Sequence, residues 1–269
     1  MPELAELKLT ADYINTSAKG LKFVNIIKNP SHKGLEIKKP FDHFTITAKS
    51  RGKELMITLA DRDSNNTVKL LMTMGMSGTF SMHNFEKVPK HAHLSFISTD
   101  GVSLSFVDVR RFGKWKIVED WSPGRGPDPV SEFNEFKENI LSNLDKTAFN
   151  HPIHLVLMNQ QYFNGIGNYL RSEVLYRLPH INPWDCARDV IKNEDKIFIL
   201  CKEIPSVAYI LGGGQLKDWK NPMGVDANDF RNFLRCYGNP NMGRFNDKNG
   251  RTFWYDPKWN VVNNLSKQA

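Results

Sequence analysis

The chain has 269 residues, of which 40% are hydrophobic and 24% are charged, and its formal net charge at pH 7 is +7. This composition is ordinary for a globular protein, and the length leaves room for one large domain or two modest ones. No apolar run approaches the about 18 residues of a membrane helix, and the acidic start Met-Pro-Glu-Leu-Ala-Glu lacks the basic and apolar residues of a secretory signal. We therefore expect an intracellular protein that is neither secreted nor embedded in a membrane.

The charge balance and the cysteines narrow the class further. A sequence pI of about 9.2 suits a polyanionic partner, because lysine and arginine displace condensed counterions from phosphates, although many basic proteins bind no nucleic acid. Cys186, Cys201 and Cys236 lie far apart and form no CxxC pair. We expect reduced thiols, no metal site and no cofactor.

The first half predicts one helix followed by a β-structure. Leu4, Leu7 and Ile14 recur at helical spacing over residues 3 to 18. From about 21 to 118 the chain changes to short alternating runs that are separated by turn signals such as Ser-Asn-Asn and Thr-Asp-Gly. This pattern indicates a two-layered β-sandwich, or a barrel, behind the leading helix.

The second half predicts helices and a terminal hairpin. Three prolines and two glycines in residues 121–130 mark a linker between domains 1–120 and 131–269. Residues 213–226 are rich in glycine, lysine and asparagine and predict a mobile loop, whereas Thr252–Tyr255 and Asn260–Val262 suit two hairpin strands. The predicted helices are roughly 131–143, 152–159, 167–178, 186–202, 206–212 and 227–235.

The start of the chain carries the first chemical signal. Removal of Met1 would leave Pro2 with a free α-amine, a group whose reference pKa near 8 leaves about one amine in ten neutral at pH 7. A neutral amine can attack a sugar C1′ and form an iminium, and Glu3 and Glu6 stand close by as acid or base. The same residues also suit an ordinary helix start, with proline and acids in the first turn.

A glycine-broken turn opens the helix after residue 167. In Asn164-Gly165-Ile166-Gly167-Asn168, the glycines permit close backbone approach and Asn168 adds an amide donor. N–H groups at a helix start form a natural phosphate site, although a tight turn between packed helices explains the same pattern.

Two further segments combine cations with turn residues. Asp108-Val109-Arg110-Arg111-Phe112-Gly113, with Met76 upstream, could form a projecting tip that fills the stack when a base is extruded. Arg251 follows Asn249-Gly250, a strong hairpin signal, and could reach phosphate. Solvated surface turns are the alternative in both places. His91 and His93 share one strand face and suit a structural or phosphate-facing role better than a metal site.

The order of these motifs carries more information than each one alone. Pro-Glu, Gly-Lys-Glu, Met-Ser-Gly, Asp-Val-Arg-Arg-Phe-Gly, Asn-Gly-Ile-Gly-Asn and Gly-Arg-Thr follow one another from residue 2 to about 256. This series resembles the formamidopyrimidine-DNA glycosylase/endonuclease VIII family. Arg-Cys-Tyr-Gly before a cysteine-free terminal hairpin resembles its zincless-finger, endonuclease VIII-like branch of vertebrate or giant-virus type.

The resemblance implies an α+β fold: an N-terminal helix with a two-layered β-sandwich, then a mainly helical domain with a helix–two-turn–helix and a zincless β-hairpin finger over about 234–263. It also implies a bifunctional DNA glycosylase and abasic-site lyase of base excision repair. Such an enzyme removes oxidised bases, mainly pyrimidines, from damaged DNA and then cleaves the strand by β,δ-elimination. We expect a monomer in the nucleus or another DNA-containing compartment, viral or host.

The resemblance also implies roles for individual residues. Pro2 would attack C1′, Glu3 would protonate the deoxyribose ring oxygen, and Lys53 would contact the phosphate or sugar and assist catalysis. Other residues match DNA-binding positions of the family. Asn168, Gly167 and Arg251 would bind phosphates, and Met76, Arg110, Arg111 and Phe112 would fill the gap left by the extruded base and touch the orphaned partner base. His91 would also belong to the DNA-binding surface.

The sequence also departs from the family. Ala5 replaces a proline at the helix start, and the loop 213–226, with Lys217 and Lys220, matches poorly where relatives contact the extruded base. Two other functions therefore stay open at this point: a DNA-binding protein without chemistry, and a purine-specific enzyme of the same fold.

Overall fold

The computed structural model describes residues 2–215, 219–226, 228–247 and 250–259. The described residues form two compact units. The first comprises those up to 123 together with those from 212 to 226, and the second comprises those from 124 to 211 and from 228 onward. The chain thus passes from one unit to the other within the proline-rich segment.

The first unit begins with helix α1 (Leu4–Ser17), and eight antiparallel strands follow it. The strand order is β5-β7-β6-β1-β2-β3-β4-β8, and a single residue pair, Phe23 with Phe44, joins β1 to β2. The strands therefore form two four-stranded layers that meet at β1 and β2. The strands are β1 (Phe23–Lys28), β2 (Phe44–Arg51), β3 (Glu54–Asp61), β4 (Thr67–Thr73), β5 (Thr79–Asn84), β6 (Ala92–Ser98), β7 (Val102–Val107) and β8 (Lys114–Val118).

Alternating burial explains why these runs form a sandwich. In β2, for example, Phe44 and Ile46 are buried and Lys49 lies outside the core. Inward-facing residues of both layers form one core with Ile14 of α1. Helix α1 closes one side of this core by packing on β2. Burial of this apolar area is the main stabilising contribution in the first unit.

The second unit is mainly helical and ends in a two-stranded hairpin. Strand β9 (Gly243–Asn246) pairs with β10 (Thr252–Tyr255) in antiparallel register. The helices are α2 (Phe133–Leu141), α3 (Ile153–Val156), α4 (Asn168–Tyr176), α5 (Ala187–Asn193), α6 (Lys196–Ile210) and α7 (Asn228–Phe233). The predicted α+β class, with one leading helix, a β-sandwich, a helical half and a β-hairpin, is confirmed.

The predicted helices 186–202 and 206–212 were wrong in their boundaries. The break falls at Glu194, between α5 and α6, and α6 continues through Pro205. A buried stripe that includes Cys201, Pro205 and Ala208 runs unbroken along α6. Its burial outweighs the one backbone hydrogen bond that a proline removes.

Two other expectations differ from the structure. Thr252–Tyr255 pairs with Gly243–Asn246, a strand that the sequence did not predict, and the other predicted hairpin strand, Asn260–Val262, lies outside the described residues. The described part of the predicted mobile loop 213–226 belongs to the first unit, where the backbone N–H of Gly214 donates to the carboxylate of Glu6 at 2.6 Å. A buried carboxylate needs such donors, and this contact anchors the start of the loop.

None of the helices in the described ranges has both the length and the apolar character that crossing a bilayer requires.

Candidate active site and nucleic-acid interface

Two buried carboxylates lie at the start of α1. Glu3 is the N-cap residue and is 2% exposed, and Glu6 is 1% exposed. The carboxylate of Glu6 accepts hydrogen bonds from the backbone N–H of Glu3 at 2.7 Å and of Gly214 at 2.6 Å. Negative charge is favoured at a helix start, where backbone N–H groups are available. Glu6 therefore has a structural role and joins α1 to the loop that follows Gly212.

Pro2 is buried directly before this helix start, so the predicted nucleophile and the Glu3 carboxylate are neighbours in an interior environment. The predicted Lys53 lies on another element, the two-residue turn between β2 and β3. Arg51 pairs with Glu54 across this turn, and Gly52 has a φ of +56°. A glycine at the first central position is what such a tight hairpin requires.

The buried carboxylate of Asp108 joins two loops of the sandwich. It accepts hydrogen bonds from the Ser77 hydroxyl at 2.5 Å and from the Gly113 backbone N–H at 2.7 Å. Gly75 has a φ of +61°, and a Cβ at this position would lie 2.7 Å from the backbone nitrogen of Gly113. The segments Met74–Gly78 and Asp108–Gly113 are therefore held together by the Asp108 carboxylate and by close backbone packing.

An exposed tip projects from these two joined segments. Phe112 is 53% exposed and Val109 is 60% exposed. The Arg110 guanidinium carbon lies 5.1 Å from the centre of the Phe112 ring, and Arg111 adopts a φ of +58°. The predicted gap-filling residues Arg110, Arg111 and Phe112 thus lie together, and Met76 is half-buried in the adjoining loop. An exposed aromatic ring beside two cations is suited to a partner that combines stacked bases with negative charge.

His91 and His93 support the same loop from behind. The His91 carbonyl accepts a hydrogen bond from the Asp108 backbone N–H at 3.0 Å, and His93 Nε2 donates to the Asp108 carbonyl at 2.8 Å. His93 is fully buried, and His91 is half-buried. The His93 ring therefore has a structural function in the first unit, whereas His91 contributes its backbone carbonyl to the same contact.

Replacing Asp108 with alanine should destabilise the first unit. The change leaves the Ser77 hydroxyl and the Gly113 N–H without their buried acceptor, and we expect a loss of about 3 kcal/mol in the free energy of unfolding. Urea denaturation measures this loss, and the exposed Asp63→Ala variant is the matched control. An Asp108→Ala protein as stable as the control would contradict the proposed role of the carboxylate.

In the second unit, side chains fix the turn before α4. Asn164 Nδ2 donates to the Gly126 carbonyl at 2.8 Å, and Gln160 Oε1 accepts from the Gly165 N–H at 3.1 Å. Gly165 has a φ of +99°, which favours glycine. Gly167, the predicted phosphate contact, is the N-cap of α4 and has extended backbone. The turn is therefore built to present the start of α4 in one orientation.

The structure brings the predicted Asn168 and Arg251 into one cluster. Asn168 Nδ2 donates to the Thr252 carbonyl of the hairpin at 2.8 Å. The backbone N–H of the exposed Arg251 donates to Asp247 Oδ1 at 3.0 Å. Asp247 and Arg251 line a cleft of about 360 Å³ together with His151 of the same unit.

Two charged residues of α4 received no role from the sequence. Arg171 is fully buried and forms an ion pair of 3.2 Å with Asp247. Glu173, also fully buried, accepts from the backbone N–H groups of Cys236 and Tyr237, at 2.8 Å each. A signal was present, because Leu170, Val174 and Leu175 make this stretch of α4 mainly apolar. Charges in such a helix are costly unless partners are provided.

His154 packs beneath this cluster. Its ring stacks on Phe253 with 5.0 Å between centroids, and its Nδ1 donates to the Pro183 carbonyl at 2.8 Å. Burial lowers the pKa of His154 to about 4, so the ring is neutral at pH 7. Arg171, not His154, therefore carries the positive charge beside Asp247.

Two family models each match one segment of the chain. Residues 1–115 match the formamidopyrimidine-DNA glycosylase N-terminal domain, and residues 226–258 match the model described as endonuclease VIII-like 1, DNA bind. The chain is 36% identical over 286 residues to endonuclease 8-like 1 of Homo sapiens, covering 95% of this chain and 72% of that protein.

Solved structures share the fold. The MutM (Fpg) protein from Thermus thermophilus aligns with a TM-score of 0.77 at 23% identity, over 96% of this chain and 98% of that one. Wild-type Fpg (MutM) of Lactococcus lactis, solved with a DNA containing N7-benzyl-Fapy-dG, also aligns with a TM-score of 0.77 at 23% identity, over 96% and 99%. The helix-led sandwich, helical unit and hairpin define a DNA glycosylase of base excision repair. The chain belongs to the formamidopyrimidine-DNA glycosylase/endonuclease VIII family.

Proposed function

We propose that the α-amine of Pro2, freed by removal of Met1, is the nucleophile of a bifunctional glycosylase and abasic-site lyase. The observation that carries this proposal is the position of Pro2, next to the buried Glu3 carboxylate at the start of α1. The amine attacks C1′ of the damaged nucleotide and forms a C1′–N bond, and the bond between C1′ and the base breaks as the base leaves with the proton that the amine gives up.

Glu3 acts as a proton donor before the base leaves. As the bond between C1′ and the ring oxygen breaks, that oxygen takes a proton from the Glu3 carboxyl, and departure of the base from the opened sugar leaves an iminium on Pro2. The Glu3 carboxylate then takes a proton from C2′ as the 3′ phosphate leaves, loss of a proton from C4′ expels the 5′ phosphate, and water hydrolyses the iminium to free Pro2. Lys53 contacts the phosphate or sugar and assists these steps, a role that its place in the tight turn between β2 and β3 supports.

We assign DNA binding to both units. In the second unit, Asn168, Gly167 and Arg251 bind phosphates near the lesion, which their position at the start of α4 and on the hairpin supports. In the first unit, the exposed Arg110 and Phe112 and their neighbours enter the gap that an extruded base leaves. We also assign Met76, Arg111 and His91 to this DNA interface.

We further propose oxidised pyrimidines as the main substrates, with formamidopyrimidines as a second class. The resemblance to the endonuclease VIII-like branch implies the first class, and the name formamidopyrimidine-DNA glycosylase, which several relatives carry, supports the second. We infer domains 1–120 and 131–269 around the linker 121–130, with the finger over about 234–263. We also infer a monomer that works in the nucleus or another compartment that contains DNA.

Incubation with duplex DNA that contains thymine glycol or an abasic site tests the function. Borohydride should reduce the iminium and leave a stable covalent complex, and digestion followed by mass spectrometry should place the DNA remnant on a peptide that begins at Pro2. Without borohydride, the strand should be cleaved with loss of the sugar. Salt-sensitive binding with neither excision nor trapping would instead indicate a DNA-binding protein without chemistry.

A further inference from the structure

We propose that Arg171 is a positioning residue that sets the orientation of the Asn168 side chain and the backbone position of Arg251, the two predicted phosphate-binding residues. This inference rests on the proposed function of those two residues. Arg171 is fully buried, so it acts through them and does not itself touch DNA.

The first connection runs from Arg171 to Asn168. Two nitrogens of the guanidinium, Nε at 3.1 Å and Nη2 at 2.6 Å, donate to the same oxygen, Asn168 Oδ1. An amide can be turned either way about its last bond, and a planar fork of donors on one side removes that freedom. The oxygen of Asn168 consequently faces Arg171, and the amide nitrogen faces the hairpin, where it donates to Thr252.

The second connection runs from Arg171 to Arg251 through Asp247. Arg171 Nη2 lies 3.2 Å from Asp247 Oδ2, while Asp247 Oδ1 accepts from the Arg251 N–H at 3.0 Å. The Asp247 N–H in turn donates to the Arg251 carbonyl at 2.9 Å. One carboxylate therefore holds the backbone of Arg251, and its own position is set by the buried cation.

Arg171 has further contacts that fix its own place. Its Nη1 donates to the His154 carbonyl at 3.2 Å, and its guanidinium carbon lies 4.9 Å from the centre of the Phe253 ring. An arginine held on several sides is a rigid support, and a lysine in its place could not reproduce the fork.

Arg171 and Glu173 together explain how the hairpin is held on α4. Glu173 binds the backbone at residues 236 and 237, before β9, and Arg171 binds the turn between β9 and β10. Two strands alone are marginally stable. Two buried charges of opposite sign on one helix therefore dock both ends of the finger.

The test measures affinity for a duplex with a tetrahydrofuran abasic analogue as a function of salt. Each cation–phosphate contact contributes about 0.9 to the slope of log K against log salt. We expect Arg171→Met to weaken binding about tenfold and to lower the slope by about one, although the residue itself is buried. Arg188→Met, which removes a cation from α5 outside the cluster, is the matched control.

A second variant distinguishes lost positioning from a general loss of folding. Arg171→Met combined with Asp247→Asn leaves no buried charge unpaired and retains an acceptor for the Arg251 N–H, so we expect near wild-type thermal stability. Binding should still be about tenfold weaker with the lower slope, and adding Arg251→Ala should cause little further loss, because both changes act on one contact. A double variant with wild-type affinity and slope would overturn the inference.

The same assay separates this inference from the proposed function. Arg251→Ala by itself should lower the slope by about one. If it leaves the slope unchanged, the phosphate role of Arg251 fails. If Arg251→Ala lowers the slope and the Arg171 variants do not, only the positioning role of Arg171 is wrong.

Discussion

Enzyme that retains Met1 should form no borohydride-trapped complex and should excise bases at least about 10³-fold more slowly than the mature protein. Retention of Met1 converts the nitrogen of Pro2 into an amide, whose lone pair is delocalised into the carbonyl group. An amide nitrogen cannot attack C1′ or carry an iminium. Mass spectrometry of the intact protein establishes which form is present, and gel analysis of the trapped complex measures the effect.

A control separates the amine from the proline ring. Pro2→Gly, processed to a free terminus, still offers a neutral amine, and we expect trapping well above that of the Met1-retaining enzyme. Circular dichroism should show that both proteins are folded. Efficient excision by enzyme in which every molecule retains Met1 would rule out the N-terminal nucleophile.

Glu3→Gln is expected to separate the two activities. Without the carboxyl proton, cleavage of the sugar ring bond should slow base excision by about 10²- to 10⁴-fold, the usual range for a lost general acid. A preformed abasic site already exposes an aldehyde in its open form. Cleavage at such a site should therefore fall much less, and the ratio of the two rates on matched duplexes is the diagnostic measurement.

Two other glutamates provide the comparison for this prediction. Glu36→Gln, at an exposed position, should change neither rate. Glu6→Gln replaces one of the two carboxylate oxygens that accept hydrogen bonds from Glu3 and Gly214. It should lower the free energy of unfolding by about 1–2 kcal/mol. Equal losses of excision and abasic-site cleavage in Glu3→Gln would argue that Glu3 only supports the helix start.

The local elements were largely predictable. Alternating burial and turn glycines identify the strands of the sandwich, and Gly52 marks the β2–β3 turn, because backbone preferences at these positions depend on near neighbours in the chain. The ends of the helices were less predictable. The predicted break between residues 202 and 206 falls inside α6, because burial along one face carries the helix through Pro205.

The residues of the proposed site come from the sequence, and the groups that support them come from the structure. The order of motifs from Pro2 to Arg251 predicts the residues that we propose to meet DNA. The same pattern gave no role to Asp108 or Asp247. Each of these carboxylates is buried and binds donors from a different segment, and such a partner is not visible in linear spacing.

The amino-acid sequence by itself determined the α+β class, the leading helix, the order of the two halves and the family to which the chain belongs, because periodicity, turn residues and motif order are local properties. Only the tertiary structure decided that β10 pairs with β9, that the loop after Gly212 joins α1, and that Arg171 connects Asn168 to Asp247. The contacts of Gly214 with Glu6 and of Arg171 with Asp247 join residues far apart in the chain. Their stability comes from desolvated charges and backbone groups that must find partners once both are buried.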